Sequence, residues 1–287
     1  MAASRPSSAR SKTDGGASVA AGAMAFGCLS LCATPIGNLG DVSLRVLECL
    51  RTAETIYAED TRVTRKLLAA YDIHVPLERA DQRSLPELAP QVAERVAAGA
   101  QLAFVSDAGM PGVSDPGQAL VAALRQAGLP VAVLPGASAF TCAYVASGTA
   151  APHLYFGGFL PRADQAFLAE LERLRPLLAD GQTALAFYES PRRILHSLEL
   201  VERALGKRPL CLCRELTKLH EQVLNGSAHQ VATALRRSFG LVAVAGAAEA
   251  ELARLSAKQR EKHLHRQARA EAAAIKGEMV LLVLPDE

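Results

Sequence analysis

The segment from Ser106 to Gly117 holds the densest set of residues that could contact a ligand. It reads Ser-Asp-Ala-Gly-Met-Pro-Gly-Val-Ser-Asp-Pro-Gly and follows the apolar run Leu102 to Val105, which is typical of a buried strand. Glycine lets backbone approach a ligand closely, and the carboxylates of Asp107 and Asp115 can accept from hydroxyl or ammonium groups. Ligands of open α/β sheets bind at the carboxyl ends of strands, so we interpret this segment as a ligand loop. Two consecutive tight turns are the alternative.

The loop after the first predicted strand disfavours two common phosphate sites. It reads Thr-Pro-Ile-Gly-Asn-Leu-Gly-Asp from residue 34 to residue 41 and does not fit the Gly-x-Gly-x-x-Gly pattern of dinucleotide sites. It also lacks the Lys and Ser/Thr of a P-loop. The six cysteines and the histidines show no zinc-ligand spacing, so we expect reduced thiols and no metal.

Charged residues follow three other predicted strands. Asp60 precedes a helical pattern that it could cap, and beside Arg62 it could instead position a hydroxyl or a phosphate. In the second half of the chain, Arg193, Arg214 and Lys218 could bind phosphates. An arginine side chain can donate two hydrogen bonds at once to two oxygens of one phosphate. A surface network of arginine and glutamate is the alternative interpretation.

Strand and helix patterns alternate along the 287 residues, which predicts two α/β domains, the first with a mostly parallel sheet. We place a disordered arm at 1–26, one domain at 27–148 and the other at 149–287, with a charged helix inserted at 247–274. The net charge of +2 does not indicate a nucleic-acid binder, although a local basic face could still act as one. No run has the ~20 apolar residues of a membrane helix, so we expect no membrane contact. Reduced cysteines are typical of a cytoplasmic protein, and we expect that location.

Seven short motifs together resemble the tetrapyrrole-methylase superfamily, the class III methyltransferases that depend on S-adenosylmethionine. The motifs are Thr-Pro-Ile-Gly-Asn-Leu (34–39), Ala-Glu-Asp-Thr-Arg (58–62), the loop at 106–117, Gly-Phe-Leu-Pro (158–161), Phe-Tyr-Glu-Ser-Pro (187–191), Arg-Glu-Leu-Thr-Lys (214–218) and Lys-Gly-Glu-Met-Val (276–280). Within the superfamily they are similar to the branch that methylates ribosomal RNA. The resemblance implies two α/β domains with S-adenosylmethionine in the cleft between them, and a homodimer. It also implies methylation of the ribose 2′-hydroxyl of cytidine 1402 in the 16S rRNA of the small ribosomal subunit.

The resemblance also assigns roles to individual positions. It places the cofactor against Pro35, Gly37, Asp107, Ala108, Gly109, Met110, Pro111, Ser114, Ala137, Ser138, Tyr188, Glu215 and Gly277. The reaction needs a group that accepts the proton of the hydroxyl, and we assign Asp60 to it, with Asp107 as the second candidate. For phosphate contacts with RNA we assign Arg62, Arg193, Arg214 and Lys218.

The sequence departs from the family pattern at two places. Residues 79–84 read Arg-Ala-Asp-Gln-Arg-Ser where relatives carry a patch of histidine and asparagine, and the helix at 247–274 replaces a short connection. Two alternatives therefore stay open. One is a methyltransferase that acts on a small tetrapyrrole-like substrate, and the other is a ribosome-associated relative that has lost its chemistry.

Overall fold

Two five-stranded sheets form the framework of the protein, whose computed structural model describes residues 27–241 and 257–286. The first sheet has the order β3-β2-β4-β1-β5, and all of its strand pairs are parallel. Helices α1 and α2 pack on one face and α3 and α4 on the other, as predicted for a doubly covered parallel sheet. The strands are β1 (Cys28–Cys32), β2 (Thr55–Ala58), β3 (Leu77–Arg79), β4 (Gln101–Val105) and β5 (Val131–Leu134), and the helices are α1 (Leu44–Thr52), α2 (Thr61–Ala70), α3 (Leu85–Ala97) and α4 (Gln118–Gln126).

The second sheet is mixed, with the order β6-β7-β10-β8-β9. Strands β6 and β7 are parallel, whereas β10 is antiparallel to both of its neighbours and β9 is antiparallel to β8. The strands are β6 (His153–Phe159), β7 (Thr183–Glu189), β8 (Leu210–Arg214), β9 (Gln222–Gly226) and β10 (Met279–Val283), and the helices are α5 (Ala139–Ala146), α6 (Asp164–Leu178), α7 (Ile194–Leu205), α8 (Ala228–Ser238) and α9 (Ala257–Ala274).

Helix α5 packs against the second sheet, not the first. Its Ala143 is fully buried with Ala186 of β7, Cys213 of β8 and Val280 of β10. By packing, α5 therefore belongs with the second sheet, although it follows the β-α order of the first half. The domain boundary at residue 148 stays a prediction.

The predicted inserted helix is present in part as α9. Near the end of α9, Glu271 is 8% exposed and accepts a hydrogen bond at 3.0 Å from Nε of Arg236 on α8, which fixes the helix to the second unit. The rest of that prediction, residues 247–256, and the predicted arm at 1–26 lie outside the described residues. Within the described ranges, no helix has both the length and the apolar surface needed to cross a bilayer.

Candidate active site

The loops after β1 and β4 are joined at the carboxyl edge of the first sheet. The N–H of Thr34 donates to the carbonyl of Gly109 at 2.9 Å, and the N–H of Gly109 donates back to Thr34 at 3.0 Å. The Thr34 hydroxyl donates to the carbonyl of Ser106 at 3.2 Å. These three bonds hold the two loops together, so that they form one continuous wall.

A cavity of about 460 Å³ lies between this wall and the second sheet, a size usual for small-molecule sites. The walls are mostly apolar and come from both sheets. The residues from the loops of the first sheet are Ile36, Ala108, Gly109, Met110, Val113 and Asp115, and the start of α5 adds Ser138 and Ala139. Those on the other side are Phe159, Tyr188, Glu189, Ser190, Pro191, Cys213, Leu216, Gly277, Glu278, Met279 and Val280.

A smaller hollow of about 190 Å³ adjoins the cavity across the same two loops. It lies between the loops and helix α2. Its lining residues are Thr34, Pro35, Gly37, Leu39, Val63, Thr64, Lys66, Leu67, Ser106 and Asp107. Neighbouring residues of each loop thus face different spaces, because Ile36 lines the cavity while Pro35 and Gly37 line the hollow.

The predicted cofactor residues divide between these two spaces. Six of them line the cavity: Ala108, Gly109, Met110, Ser138, Tyr188 and Gly277. Pro35, Gly37 and Asp107 line the hollow instead. Pro111, Ser114, Ala137 and Glu215 line neither space and lie beside lining residues in the chain. The structure thus brings these loops together, and contact of each residue with a cofactor stays a prediction.

Several residues that line the cavity received no role from the sequence although they stand inside the quoted motifs. They are Ile36, Val113, Phe159, Glu189, Ser190, Pro191, Leu216, Glu278, Met279 and Val280. Assigning every residue of the motifs to the site would have found them. The antiparallel placement of β10, which brings Glu278 to the cavity, had no signal in the sequence.

Carboxylates are concentrated where the cavity meets the hollow. Burial raises the pKa of Asp115 to about 6, and the negative charge of Asp107 adds to the effect. Burial also raises the pKa of Glu59, as do the charges of Asp107 and Asp115, and partial burial raises the pKa of Asp107. This edge therefore carries negative charge that a cationic ligand would relieve.

Tyr188 lies in an aromatic group on the wall formed by the second sheet. Its ring centre is 4.9 Å from that of Phe156, edge to face, and 5.5 Å from that of Phe159. Burial raises the pKa of Tyr188 to about 12, and the charge of Asp115 contributes. The phenol is therefore protonated at neutral pH and can donate a hydrogen bond into the cavity.

The loop after β8, from Glu215 to Lys218, has unusual backbone angles and is held by ion pairs. Glu215 and Thr217 have φ of 51° and 66°, a region that non-glycine residues seldom adopt and that is common at functional sites. Glu215 accepts from the N–H of Glu278 and from Nζ of Lys218, both at 2.9 Å, and Lys218 also lies 3.0 Å from the Glu278 carboxylate. Lys218 is thus paired with two carboxylates, which does not fit its predicted phosphate contact.

Two predicted phosphate contacts have protein partners instead. Arg214 is 9% exposed, with Nε donating to Gln222 at 2.9 Å and Nη1 to the carbonyl of Lys276 at 3.3 Å. Arg193 donates to the carbonyls of Pro161 at 2.8 Å and Leu160 at 3.4 Å. Both guanidiniums thus have partners within the protein, although 25% of the Arg193 side chain is exposed, and contact of either with a phosphate stays a prediction.

Asp60 and Arg62 form a compact pair at the start of α2. The Asp60 carboxylate accepts from the Arg62 backbone N–H at 2.8 Å, which confirms the predicted cap, and from Nε at 3.0 Å. Hydrogen bonds from Arg62 hold the pKa of Asp60 well below its usual range. A carboxylate so stabilised is a weak base, whereas Arg62, with 84% of its side chain exposed, is available to a partner.

Comparisons with known proteins agree with this architecture. The model of the family described as tetrapyrrole (corrin/porphyrin) methylases matches residues 29–232. A protein of Mycobacterium bovis named ribosomal RNA small subunit methyltransferase I is 42% identical over 252 residues, covering 83% of this chain and 85% of its own. A protein of the same name from Halalkalibacterium halodurans is 41% identical over 201 residues, covering 70% and 68%.

Solved structures share the fold at low sequence identity. A diphthine synthase superposes with a TM-score of 0.62 at 14% identity, covering 90% of each chain. A cobalt precorrin-4 methyltransferase gives 0.58 at 13% identity, covering 89% of this chain and 94% of its own. With the family model, the relatives and the cavity between two sheets in agreement, the chain belongs to the tetrapyrrole (corrin/porphyrin) methylase family of methyltransferases.

Proposed function

We propose that this methyltransferase uses S-adenosylmethionine to methylate the ribose 2′-hydroxyl of cytidine 1402 in the 16S rRNA of the small ribosomal subunit. The observation that carries the proposal is the cavity of about 460 Å³ built by both sheets, in a chain about 40% identical to proteins named for that subunit. We further propose that the protein acts in the cytoplasm as a homodimer.

The chemistry of the cavity fits S-adenosylmethionine. Its apolar walls suit an adenine ring, and the carboxylate of Asp115 suits a cationic ammonium or sulfonium group. Ser138 begins α5 without using its hydroxyl as a cap, so that hydroxyl is available to a ribose or a carboxylate. Gly109, with φ of 80°, brings bare backbone to the same wall.

When bound, the cofactor would supply a methyl carbon activated by a sulfonium, with the sulfide as leaving group, and a group of the protein would have to take the hydroxyl proton. We propose that Asp107 accepts this proton, because it directly precedes Ala108 and Gly109 of the cavity wall and its pKa is raised. The N–H of Asp60 donates to Oδ1 of Asp107 at 3.0 Å and orients it.

Asp60 then acts as a positioning residue. Its carboxylate caps α2 and holds Arg62 beside the hollow, where the guanidinium can meet a phosphate. This reverses the order of the two aspartates expected from the sequence. The reason is that Arg62 stabilises the ionised form of Asp60 and so lowers its basicity.

Transfer of labelled methyl from S-adenosylmethionine to isolated small subunits, followed by mapping of the modified nucleotide, tests the proposal. We expect label in 16S rRNA at the 2′-oxygen of cytidine 1402. Label at another nucleotide or atom would refute the assigned target. If calorimetry detects cofactor binding but no methyl is transferred to RNA, a small-molecule substrate is favoured. If the protein neither binds the cofactor nor transfers methyl, it is a relative that has lost the activity.

A further inference from the structure

The six cysteines have no part in the chemistry proposed above, and all of them are free thiols. Two pairs have their sulfur atoms in contact. The Sγ atoms of Cys32 and Cys49 are 3.6 Å apart, and those of Cys211 and Cys213 are 3.7 Å apart. A disulfide joins two sulfurs at ~2.05 Å, so each pair would have to close by about 1.6 Å. The two pairs differ in their access to solvent and in their placement along the chain.

The alternation of β1 places one thiol of the first pair. Successive side chains of a strand point to opposite faces, and β1 reads Cys-Leu-Ser-Leu-Cys. Leu29 and Leu31 pack with α3 and α4, whereas Cys32 packs in the core on the side of α1 and α2. Cys49 of α1 is packed against that same core. The two thiols, 17 residues apart in the chain, therefore meet between a strand and a helix.

The first pair has one buried and one accessible sulfur. Cys32 is fully buried, whereas Cys49 is half-buried. The Cys32 thiol donates to Sγ of Cys49, and this bond, together with one from the Ser30 hydroxyl, lowers the pKa of Cys49. The same bond, together with burial, raises the pKa of Cys32. Cys49 is thus the sulfur that a solute can meet and that ionises first, and the thiolate is the nucleophilic form of cysteine.

The second pair lacks this asymmetry. Cys211 and Cys213 are both fully buried, so a dissolved oxidant reaches neither sulfur in the folded protein. They also belong to one strand, β8, where residues two positions apart have Cα atoms ~6.6 Å apart, at the upper limit for a disulfide. This pair is therefore an internal control, with the same sulfur separation but without access or suitable backbone spacing.

The geometry points to a site for a small hydroperoxide at Cys49, with Cys32 as the thiol that closes a disulfide. Hydrogen peroxide is the smallest oxidant of this class and the one named here as the co-reactant. The site is independent of the proposed function, because neither Cys32 nor Cys49 lines the cavity or the hollow.

The reaction balances with one molecule of hydrogen peroxide. The thiolate of Cys49 attacks one oxygen, the oxygen–oxygen bond breaks, and the leaving hydroxide takes up the proton that Cys49 released and becomes water. Cys49 is then a sulfenic acid. The sulfur of Cys32 attacks that of Cys49, the sulfur–oxygen bond breaks, and the hydroxyl leaves as water with the proton of Cys32. The two thiols lose two electrons, which reduce the peroxide to two molecules of water.

The disulfide would tie α1 to the end of β1. Because the two sulfurs already touch in the native packing, the cross-link restricts the unfolded chain more than it disturbs the fold. Oxidation should therefore raise Tm by about 5 °C or more. A dithiol reductant should reverse the change, because thiol–disulfide exchange restores both thiols.

Treatment of the full chain with hydrogen peroxide, followed by alkylation, digestion and mass spectrometry, tests the site. We expect a peptide in which Cys32 and Cys49 are cross-linked, and it should disappear after treatment with a dithiol. The peptide that holds Cys211 and Cys213 should keep both thiols. Cys32→Ser should leave a sulfenic acid on Cys49, which dimedone traps, and Cys49→Ser should slow thiol loss at Cys32 at least ~10-fold. Cys142→Ser, at a half-buried position of α5, is the matched control and should form the cross-link at the wild-type rate.

Four results with the wild-type protein would overturn the assignment. They are retention of all six thiols in peroxide, a disulfide from Cys49 to Cys28 or to a second chain, oxidation of the β8 pair as fast as the first pair, and a lower Tm after oxidation. The last result would mean that the bond forms only when the native packing is displaced. These measurements stand whether or not a variant folds, and none of them involves methyl transfer, so failure of the proposed function leaves them unaffected.

Discussion

Replacement of Asp115 by asparagine is expected to stabilise the protein while weakening its binding of the cofactor. The carboxylate lines the cavity, and burial raises its pKa to about 6. In the folded chain the ionised form is therefore disfavoured relative to the unfolded chain. Asparagine keeps the shape and removes the charge, so it removes that penalty.

The size of the effect follows from the pKa of Asp115. The difference between about 6 and the 3.8 of a solvated aspartate corresponds to about 3 kcal/mol at 1.36 kcal/mol per pH unit. Because the side chain is partly exposed, solvent screening reduces this to about 1–2 kcal/mol. For a protein of this size such a gain raises Tm by about 2–6 °C.

The pH dependence has a defined sign. A folded pKa above the unfolded value means that the wild type loses stability as pH rises from about 3.8 to about 6. Asp115→Asn does not share that loss, so the difference in free energy of unfolding between the variant and the wild type reaches its full value at pH 8. At pH 4.5 the Asp115 carboxyl of the folded protein is mostly protonated, and the difference in free energy of unfolding falls to about one third of its value at pH 8.

Thermal unfolding of the free protein at pH 4.5 and pH 8 measures the stability difference, and calorimetric titration with S-adenosylmethionine measures the affinity. The variant should bind about tenfold more weakly at pH 8, because a charge-assisted hydrogen bond is lost. Glu48→Gln, an exposed position of α1, is the control for loss of one carboxylate. The reasoning is refuted if Asp115→Asn lowers Tm at pH 8, or if its gain is the same at both pH values.

Three further predictions concern the two other aspartates, a buried hydrogen bond of the second unit and the loop that holds Gly37. Asp107→Asn should slow single-turnover methyl transfer by about 10²-fold or more, and Asp60→Asn by less than tenfold; equal losses would contradict the assignment of Asp107 as proton acceptor. Ser197→Ala should lower Tm by about 2–6 °C, because it removes a hydrogen bond of 2.6 Å to the buried carboxylate of Glu189, and an unchanged Tm would contradict this. Gly37→Ala should weaken cofactor binding in calorimetry, because its Cβ would lie 2.4 Å from Cγ of Lys218 across the cleft; unchanged affinity would show that the loops adjust freely.

The local elements could be predicted where periodicity and caps agree. Strand β4 covers the predicted apolar run from Leu102 to Val105, and α2 begins at the predicted cap, Asp60. Strands β3 and β9 give weak signals, because β3 has only three residues and β9 alternates in burial at the edge of the sheet. The local sequence thus predicts an element where its pattern of apolar residues extends over several helical turns or over a fully buried strand.

The sequence predicts which loops form the site, but it does not predict which side chains contact one another there. Parallel strands bring their carboxyl ends to one edge, which justified joining the loops after β1, β2 and β4. The bonds that Arg193 and Arg214 donate to backbone carbonyls could not be foreseen, because those carbonyls lie more than 30 residues away in the chain. Such partners depend on tertiary packing, which a motif does not encode.

The cavity itself depends on contacts that cross between the two sheets. Ser138, the N-cap residue of α5, lines the cavity, while Ala143 of the same helix is buried against the second sheet. Gly37 packs against the loop that holds Leu216 and Lys218. Each sheet has its own buried core. A substitution at Ser138 or Gly37, which lie where the two units meet, can therefore alter the cavity while both units stay folded. Cofactor affinity should therefore respond to such changes before Tm does, and measuring both separates damage to the cleft from damage to the fold.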